Sequence, residues 1–193
     1  MKPSTFRRIF HFALITSLCL SNAYAQENQP SLKLRPLLQM ALELGGEPVA
    51  TVDFTNGNSQ NVNAGQGVSL GVGGELSFLP KAQFRLRGSV GFKYVTTAAD
   101  NAHIRLTRIP LIFTANWVFH PSWRIGAGIV SHQNIRFNAG GLGDNFTLTS
   151  SPGPIFEVAY KGIGLSYTAL TYSDYYGAPF NASAVGLTFS GVF

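Results

Sequence analysis

Apolar and polar residues alternate along most of the chain with a period of two, which is the period of a β-strand with one apolar face. Between positions 32 and 44, for example, leucines line one face, while the other face carries Lys33, Arg35 and Glu43. The alternation recurs further along the chain, and β-strands are predicted over 32–44, 68–78, 84–94, 108–119, 123–132, 155–160, 163–169 and 185–193. The pattern therefore predicts an all-β fold.

A soluble β-sandwich and a membrane-spanning β-barrel both show this alternation. The polar face of a sandwich meets water and should carry many charges, whereas the polar face here is rich in Gly, Ser and Thr. The apolar face is large and aromatic at its ends, as a lipid-facing band is. A sheet in lipid has to close, because an open edge leaves backbone groups unpaired. The pattern favours an eight-stranded antiparallel up-and-down transmembrane β-barrel.

The predicted connections alternate between short and long, as the periplasmic turns and outer loops of bacterial outer-membrane barrels do. The short ones are 79–83, 120–122 and 161–162, and the long ones are 45–67, 97–103, 133–151 and 173–181. The dipeptide Asn56-Gly57 favours a type I′ turn, which predicts that strands one and two continue as a hairpin above the membrane.

Aromatic residues gather at the short-turn end of the predicted strands. Trp and Tyr are typical of membrane–water interfaces, so we predict a periplasmic aromatic girdle. Its members are Phe78, Phe84, Phe119, Trp123, Tyr160 and Phe193. A second group is predicted near the opposite rim, namely Phe92, Tyr94, Tyr172, Tyr175 and Tyr176.

The first 25 residues have the order of a secretory signal peptide: three basic residues, an apolar run over 9–20, and Ala23-Tyr24-Ala25. The run is too short for a membrane helix, which needs about 20 apolar residues. We predict cleavage after Ala25, which leaves residues 26–193 as an outer-membrane domain. The one cysteine, Cys19, lies within this leader.

Composition excludes two other classes of protein. Charged residues make up 12% of the chain and aromatic residues another 12%, whereas a disordered chain is poor in aromatics. The net charge of +5 suggests a nucleic-acid binder. Three of the basic residues belong to the predicted leader, however, and 11 basic and 9 acidic residues remain after it. We predict no nucleic-acid partner.

The chain resembles the small eight-stranded outer-membrane barrels of Gram-negative bacteria, the OmpA-like, OmpX and opacity-type porin-like group. The signal peptide, the strand pattern and the C-terminal run 184–193 carry this resemblance. Within that run, Phe189 and the terminal Phe193 resemble the signal that the barrel assembly machinery reads, although Gly191 stands where an aromatic residue is more usual. The segment 108–111 followed by Trp117 resembles the mid-barrel strand of that group. The resemblance implies outer-membrane lipid and the assembly machinery as partners, and long loops that can contact a surface ligand.

By alternation, ten charged side chains are predicted to face the interior. They are Glu43, Glu75 and Glu157 among the acids, and Lys33, Arg35, Arg85, Arg87, Lys93, Arg108 and Arg124 among the bases. Symmetric pairing about the turn near Pro80 places Glu75 opposite Arg87, and Glu157 lies at a height similar to that of Arg124. We predict an ion-pair network that plugs the barrel, and an excess of bases that makes any leak prefer anions.

An enzyme is the alternative, because some small barrels modify lipid A. The candidate residues are Asp100, His103, Ser131, His132 and Glu157. A catalytic Ser and His have to face each other, whereas neighbours in a strand point to opposite faces. No spacing of histidines indicates a metal site. We predict no enzyme activity, no catalytic residue, no metal and no cofactor.

Two functions therefore stay open. The first is a structural or interaction barrel with surface-exposed loops and a side-chain-plugged interior. The second is a narrow passive channel for small or apolar solutes, similar to the OmpW type. Eight strands leave an interior just wide enough for side chains to fill it, which favours the first function.

Overall fold

A computed structural model describes residues 32–53, 59–78, 83–99 and 102–193. The predicted signal peptide, Asn56-Gly57 and Asp100 lie outside these ranges. Within them the chain is all-β, as predicted, and no helix is long and apolar enough to cross a membrane. The strands are β1 (Leu32–Leu44), β2 (Pro48–Asp53), β3 (Ser59–Asn63), β4 (Gly67–Phe78), β5 (Phe84–Ala99), β6 (Ala102–His120), β7 (Trp123–Asn138), β8 (Phe146–Ser151), β9 (Gly153–Tyr160), β10 (Ile163–Thr168), β11 (Thr171–Ser173), β12 (Pro179–Asn181) and β13 (Ala184–Val192).

Eight strands form an antiparallel up-and-down sheet, which confirms that part of the prediction. Starting from β1, the pairing passes through β4, β5, β6, β7, β9, β10 and β13. Strand β13 then pairs with β1 over eight residues, from Leu37–Val192 to Leu44–Val185. Each of these eight strands therefore has a hydrogen-bonded neighbour on both sides.

The strands around the predicted loop 97–103 are longer than the sequence predicted. The ladder between β5 and β6 runs as far as the pair Ala99–Ala102. The apolar positions of β6 change face along the strand, since Ile104 and Leu106 share the inner face with Arg108. The apolar alternation therefore predicts a strand that begins at position 108, whereas β6 begins at Ala102.

The connection 45–67 differs from the predicted extension of strands one and two. Strands β2 and β3 do form a hairpin, but they form a separate two-stranded sheet that does not continue the β1–β4 ladder. Gly46 and Gly67 have φ angles of +83° and +144°, which residues with a side chain rarely adopt. These two positions turn the backbone away from the ladder at both ends of the hairpin.

The two remaining long connections also contain strands. Strand β7 continues beyond the predicted end at His132, through a bulge at Asn134, whose φ is +51°. Its last residues pair with β8, which in turn pairs with β11, and β11 pairs with β12. A bulge adds one residue and so reverses which later positions face inward, and this is why the alternation was lost at this point.

The turn end is the end of the eight-stranded sheet at which β4 ends, β5 begins and connections 121–122 and 161–162 lie, and the loop end is the opposite one. Over most of the sheet the outward side chains are large, apolar and exposed, such as Leu34 at 72% and Leu165 at 63%. The buried apolar residues gather instead at the loop end. This loop-end core consists of Val52, Val62, Ala64, Ile104, Leu106, Val130, Ile135, Phe137, Ala139, Leu148, Ile155, Leu170, Tyr172 and Ala182.

Candidate functional site

Glu75 is the centre of a charged cluster inside the sheet. It is fully buried, and the register places it between Arg35 on β1 and Arg87 on β5. Arg35 Nη2 lies 2.5 Å from Glu75 Oε1, and Arg87 Nη2 lies 2.6 Å from Oε2. Arg85 Nη1 is more distant, at 3.4 Å from Oε1. The predicted pair of Glu75 and Arg87 is therefore present at Oε2, and the arginines on either side give both carboxylate oxygens of Glu75 charge-assisted contacts.

A second carboxylate, Glu157 on β9, is paired across the β7–β9 ladder. Arg124 Nη1 is 2.5 Å from Glu157 Oε2, and Arg124 Nη2 donates to Oε1 at 3.1 Å. Thr188 on β13 donates to the same Oε1 at 2.6 Å. Arg124 also donates to Asn116 Oδ1 at 3.1 Å. The carboxylate is thus held by its neighbouring strand β7 and, across β10, by β13.

Ser190 joins the two carboxylate centres. Its Oγ lies 3.4 Å from Arg87 Nη1 and 3.1 Å from Arg124 Nη2. The six charged residues around it form one unit, which we name the turn-end network. Its members are Arg35, Glu75, Arg85, Arg87, Arg124 and Glu157.

A third buried pair lies toward the loop end. Lys93 Nζ is 2.9 Å from Glu43 Oε2 and also donates to the backbone oxygen of Gly65 at 2.6 Å. Alternation predicted both side chains inside, but it did not predict their pairing. The register explains the contact: β4 separates β1 from β5, and its residues opposite Glu43 and Lys93 are Gly67 and Ser69, which are too small to keep the two charges apart.

The assignment of Arg108 to an ion pair was wrong. Its side chain is fully buried, and in the described part of the chain no carboxylate lies within ion-pair distance. Its guanidinium donates instead to the backbone oxygens of Ala64 and Gln66, the latter at 2.5 Å. The segment 64–66 that follows β3 therefore lies over the interior, and the alternation of β6 alone contains no signal for it.

Lys33 also differs from the prediction. It shares the inner face of β1 with Arg35, but it is exposed because it lies at the first residues of the strand. The interior therefore contains fewer bases than the sequence analysis counted.

The residues considered for catalysis do not come together in the described parts of the chain. Ser131 and His132 point to opposite faces, with Ser131 half-buried and His132 inside. Ser131 accepts a hydrogen bond from Gln133 Nε2 at 2.8 Å, and Glu157 is neutralised by Arg124. Asp100 and the side chain of His103 lie outside the described residues.

His132 binds Tyr172 through its Nδ1 atom. Burial raises the pKa of Tyr172 above its usual range, so the hydroxyl keeps its proton at neutral pH and remains able to hydrogen-bond with the imidazole ring. This contact also corrects the aromatic prediction, because Tyr172 is fully buried and does not belong to a rim. The signal missed was the break after β10, which returns the chain inward at Leu170.

The predicted girdle residues are exposed near the turn end. They are Phe78, Phe84, Phe119, Trp123 and Tyr160, and the rings of Trp123 and Tyr160 are 5.0 Å apart across the β7–β9 ladder. Phe193 is 75% exposed, and its backbone N–H donates to Pro36 at 3.1 Å, in continuation of the β13–β1 ladder.

Little free space remains inside. A cavity of about 50 Å³ lies between Gln39, Ser89 and Glu157, in the middle of the sheet. A second cavity, of about 190 Å³, lies at the turn end beside Arg87 and Arg124. The described residues contain no group of three or more side chains able to hold a metal ion.

Comparison with known proteins leaves the family open. No family model matches the chain, and no curated protein matches it significantly. The functional conclusion therefore depends on the geometry described above.

Proposed function

We propose that residues 26–193 form a closed eight-stranded β-barrel that spans the outer membrane of a Gram-negative bacterium and has a structural or interaction role. In this proposal the long connections face outward from the cell, and the turn end faces the periplasm. The single observation that carries the proposal is the inverted polarity of the sheet. Large apolar side chains are exposed on the outside, while arginines and glutamates are buried within.

The size of the apolar surface supports a membrane location. On β6 the outward side chains from Ile109 to Phe119 are all apolar. The segment 109–119 has 11 residues, and a tilted strand crosses a bilayer with roughly 9–11 residues. A contiguous apolar surface of this extent is rare on soluble monomers, and lipid is the partner that its chemistry fits.

The interior supports a plugged rather than an open barrel. The turn-end network fills the turn end, and Lys93 and Arg108 hold the segment 64–66 over the interior at the other end. The cavity between them, of about 50 Å³, has room for a few water molecules only. We therefore propose that the long connections, which can contact a surface ligand, carry the interaction.

The experiment is gel mobility combined with conductance. Closed barrels keep every backbone hydrogen bond within the ladder, so refolded protein should migrate differently before and after boiling on a cold SDS gel. Wild-type protein in planar bilayers should then conduct little. Identical migration of both samples, together with folded protein that stays in solution after removal of detergent, would reject the membrane barrel.

A narrow passive channel is the second candidate function. The two cavities, of about 50 and 190 Å³, are the observation that favours it, since they are spaces along the interior. A large, steady wild-type conductance would replace the structural role by this one. No hydrolase or acyltransferase role is proposed, because Ser131 and His132 face apart.

Assembly is a further part of this proposal, with Phe189 and Phe193 as the signal for the barrel assembly machinery. Replacement of Phe193 by Asp should leave protein in the periplasm and reduce its outer-membrane level. The matched control is Leu142→Asp, since Leu142 is 61% exposed in the connection between β7 and β8. Equal outer-membrane levels of both variants in cell fractionation would refute the signal.

A further inference from the structure

The cavity at the turn end has an unbalanced charge. It has a volume of about 190 Å³, and the described residues that line it include four basic and no acidic side chains. The basic ones are Arg85, Arg87, Arg124 and Lys161. The two carboxylates of the turn-end network contact the guanidinium groups from elsewhere and do not line the cavity. Its wall therefore presents positive charge to whatever enters it.

Two of these arginines converge on one point. Arg87 and Arg124 are both nearly buried, and Ser190 Oγ lies 3.4 Å from the first guanidinium and 3.1 Å from the second. Two like charges this close repel each other unless an anion lies between them. Their carboxylate partners, Glu75 and Glu157, offset part of this repulsion.

Arg87 retains unused hydrogen-bonding capacity. A guanidinium has five N–H donors, and Arg87 uses Nε and Nη2 on Glu75. Its Nη1 has one described partner, the long contact to Ser190 at 3.4 Å. An acceptor with several oxygens could bind this nitrogen, Arg124 Nη2 and the Ser190 hydroxyl together.

The size of the cavity limits the class of ligand. Pockets for drug-sized molecules measure about 300–1,000 Å³, so this cavity suits a small ion with a few waters. Arginine forks match the geometry of phosphate and related oxyanions. We propose that the turn-end cavity is a binding site for a small tetrahedral oxyanion of the phosphate or sulfate class, held by Arg87, Arg124 and Ser190 with Arg85 nearby.

The test is calorimetric titration of refolded protein in uncharged maltoside micelles with sodium phosphate, at constant ionic strength set by sodium chloride. Wild type should bind phosphate saturably, and sulfate should compete. When the titration is repeated at a higher sodium chloride concentration, the affinity for phosphate should be lower, because salt screens charges that are partly exposed.

Two variants and one control locate the binding. Arg85→Gln removes a positive charge from the cavity wall, 3.4 Å from Glu75, and it should weaken phosphate binding severalfold because the field on the anion is weaker. Ser190→Ala should weaken it severalfold with no change in charge. The control Arg105→Gln makes the same charge change at an exposed position of the loop end, and its affinity should equal that of wild type.

Three results would overturn the site. The first is absence of saturable binding to wild type that still shows its folded gel mobility, an outcome that leaves the membrane proposal intact. The second is an equal loss in Arg105→Gln, which would indicate diffuse attraction to net charge. The third is abolition of phosphate binding by phosphatidylglycerol in mixed micelles, which would assign the cavity to a lipid headgroup. If Arg85→Gln does not fold, Ser190→Ala alone decides.

Discussion

The two ends of the eight-stranded sheet bury opposite kinds of residue, often on the same strand. On β6, Thr114 and Asn116 are buried toward the turn end while Trp117 is exposed on the outside. Toward the loop end of the same strand, Leu106 is fully buried and Arg105 is exposed. The polarity of the inner and outer faces is thus reversed within a single strand.

The reversal indicates that the two ends suit different surroundings. The loop end has an apolar core and a polar exterior, as a protein in water has, and burial of apolar surface stabilises it. At the turn end the apolar side chains are outside, so their removal from water cannot hold the interior together. Ion pairs and hydrogen bonds centred on Glu75 and Glu157 hold the interior together there instead. A membrane around the part of the sheet with the apolar exterior, with the loop end in water, is the physical explanation that we propose.

The largest expected effect comes from removing the interior carboxylates of the turn end. In the double variant Glu75→Ala, Glu157→Ala, the arginines of the turn-end network lose their counter-charges. Loss of one member of a buried pair costs about 3–5 kcal/mol, so the variant should unfold at much lower urea concentration than wild type and leak in planar bilayers. The control Asp144→Ala removes an exposed loop carboxylate, and an equal loss there would contradict the network's role.

The next effect tests the loop-end core by comparison of two leucines. Leu106 is fully buried, whereas Leu165 is 63% exposed on the outward face of β10. Leu106→Ala should lower the free energy of unfolding by about 2–5 kcal/mol, since it leaves a cavity. Leu165→Ala should lower it by less in detergent micelles. If chemical unfolding shows equal losses, the loop end does not have a core of the soluble kind.

A charged substitution on the outer face tests whether the sheet is a membrane barrel or a soluble sheet. Val72 is 58% exposed near the middle of β4, and Val72→Arg should cost about 2–4 kcal/mol in a bilayer, as at the midplane of known barrels. Thr147→Arg, outside the apolar surface on β8, should cost little. Equal refolding of both variants into lipid vesicles would count against insertion of the turn end.

The smallest effect concerns the hydrogen bond at the border of the two regions. Tyr172→Phe removes the hydroxyl that binds His132 and should cost about 0.5–1.5 kcal/mol. Burial raises the pKa of Tyr172 in the folded protein. The contribution of Tyr172 to the free energy of unfolding is therefore complete below its unfolded pKa of about 10 and is lost as pH rises through its folded pKa. The difference in unfolding free energy between wild type and variant should therefore shrink above about pH 10. A difference that is constant with pH would contradict this.

The ladder strands were predictable because their alternation and short turns are local. The bounds 32–44 agree with β1, and the predicted symmetric pairing of strands two and three agrees with the register that brings Glu75 opposite Arg87. A shift by one residue would move every side chain of a strand to the other face, so the apolar pattern leaves one register. The all-β fold, the antiparallel order and this pair were therefore determined by the sequence itself.

The partners of Arg108 and Tyr172 were decided by tertiary structure alone. Arg108 binds Ala64, which is 44 residues earlier in the chain, and Tyr172 binds His132 across 40 residues. Both contacts arise where segments outside the ladder, 64–66 and 170–172, turn inward over the interior. The periodicity of the sequence does not predict such an inward turn of the chain, because its path depends on which interior polar groups still lack a hydrogen-bond partner. That depends on the packing of all eight strands at once.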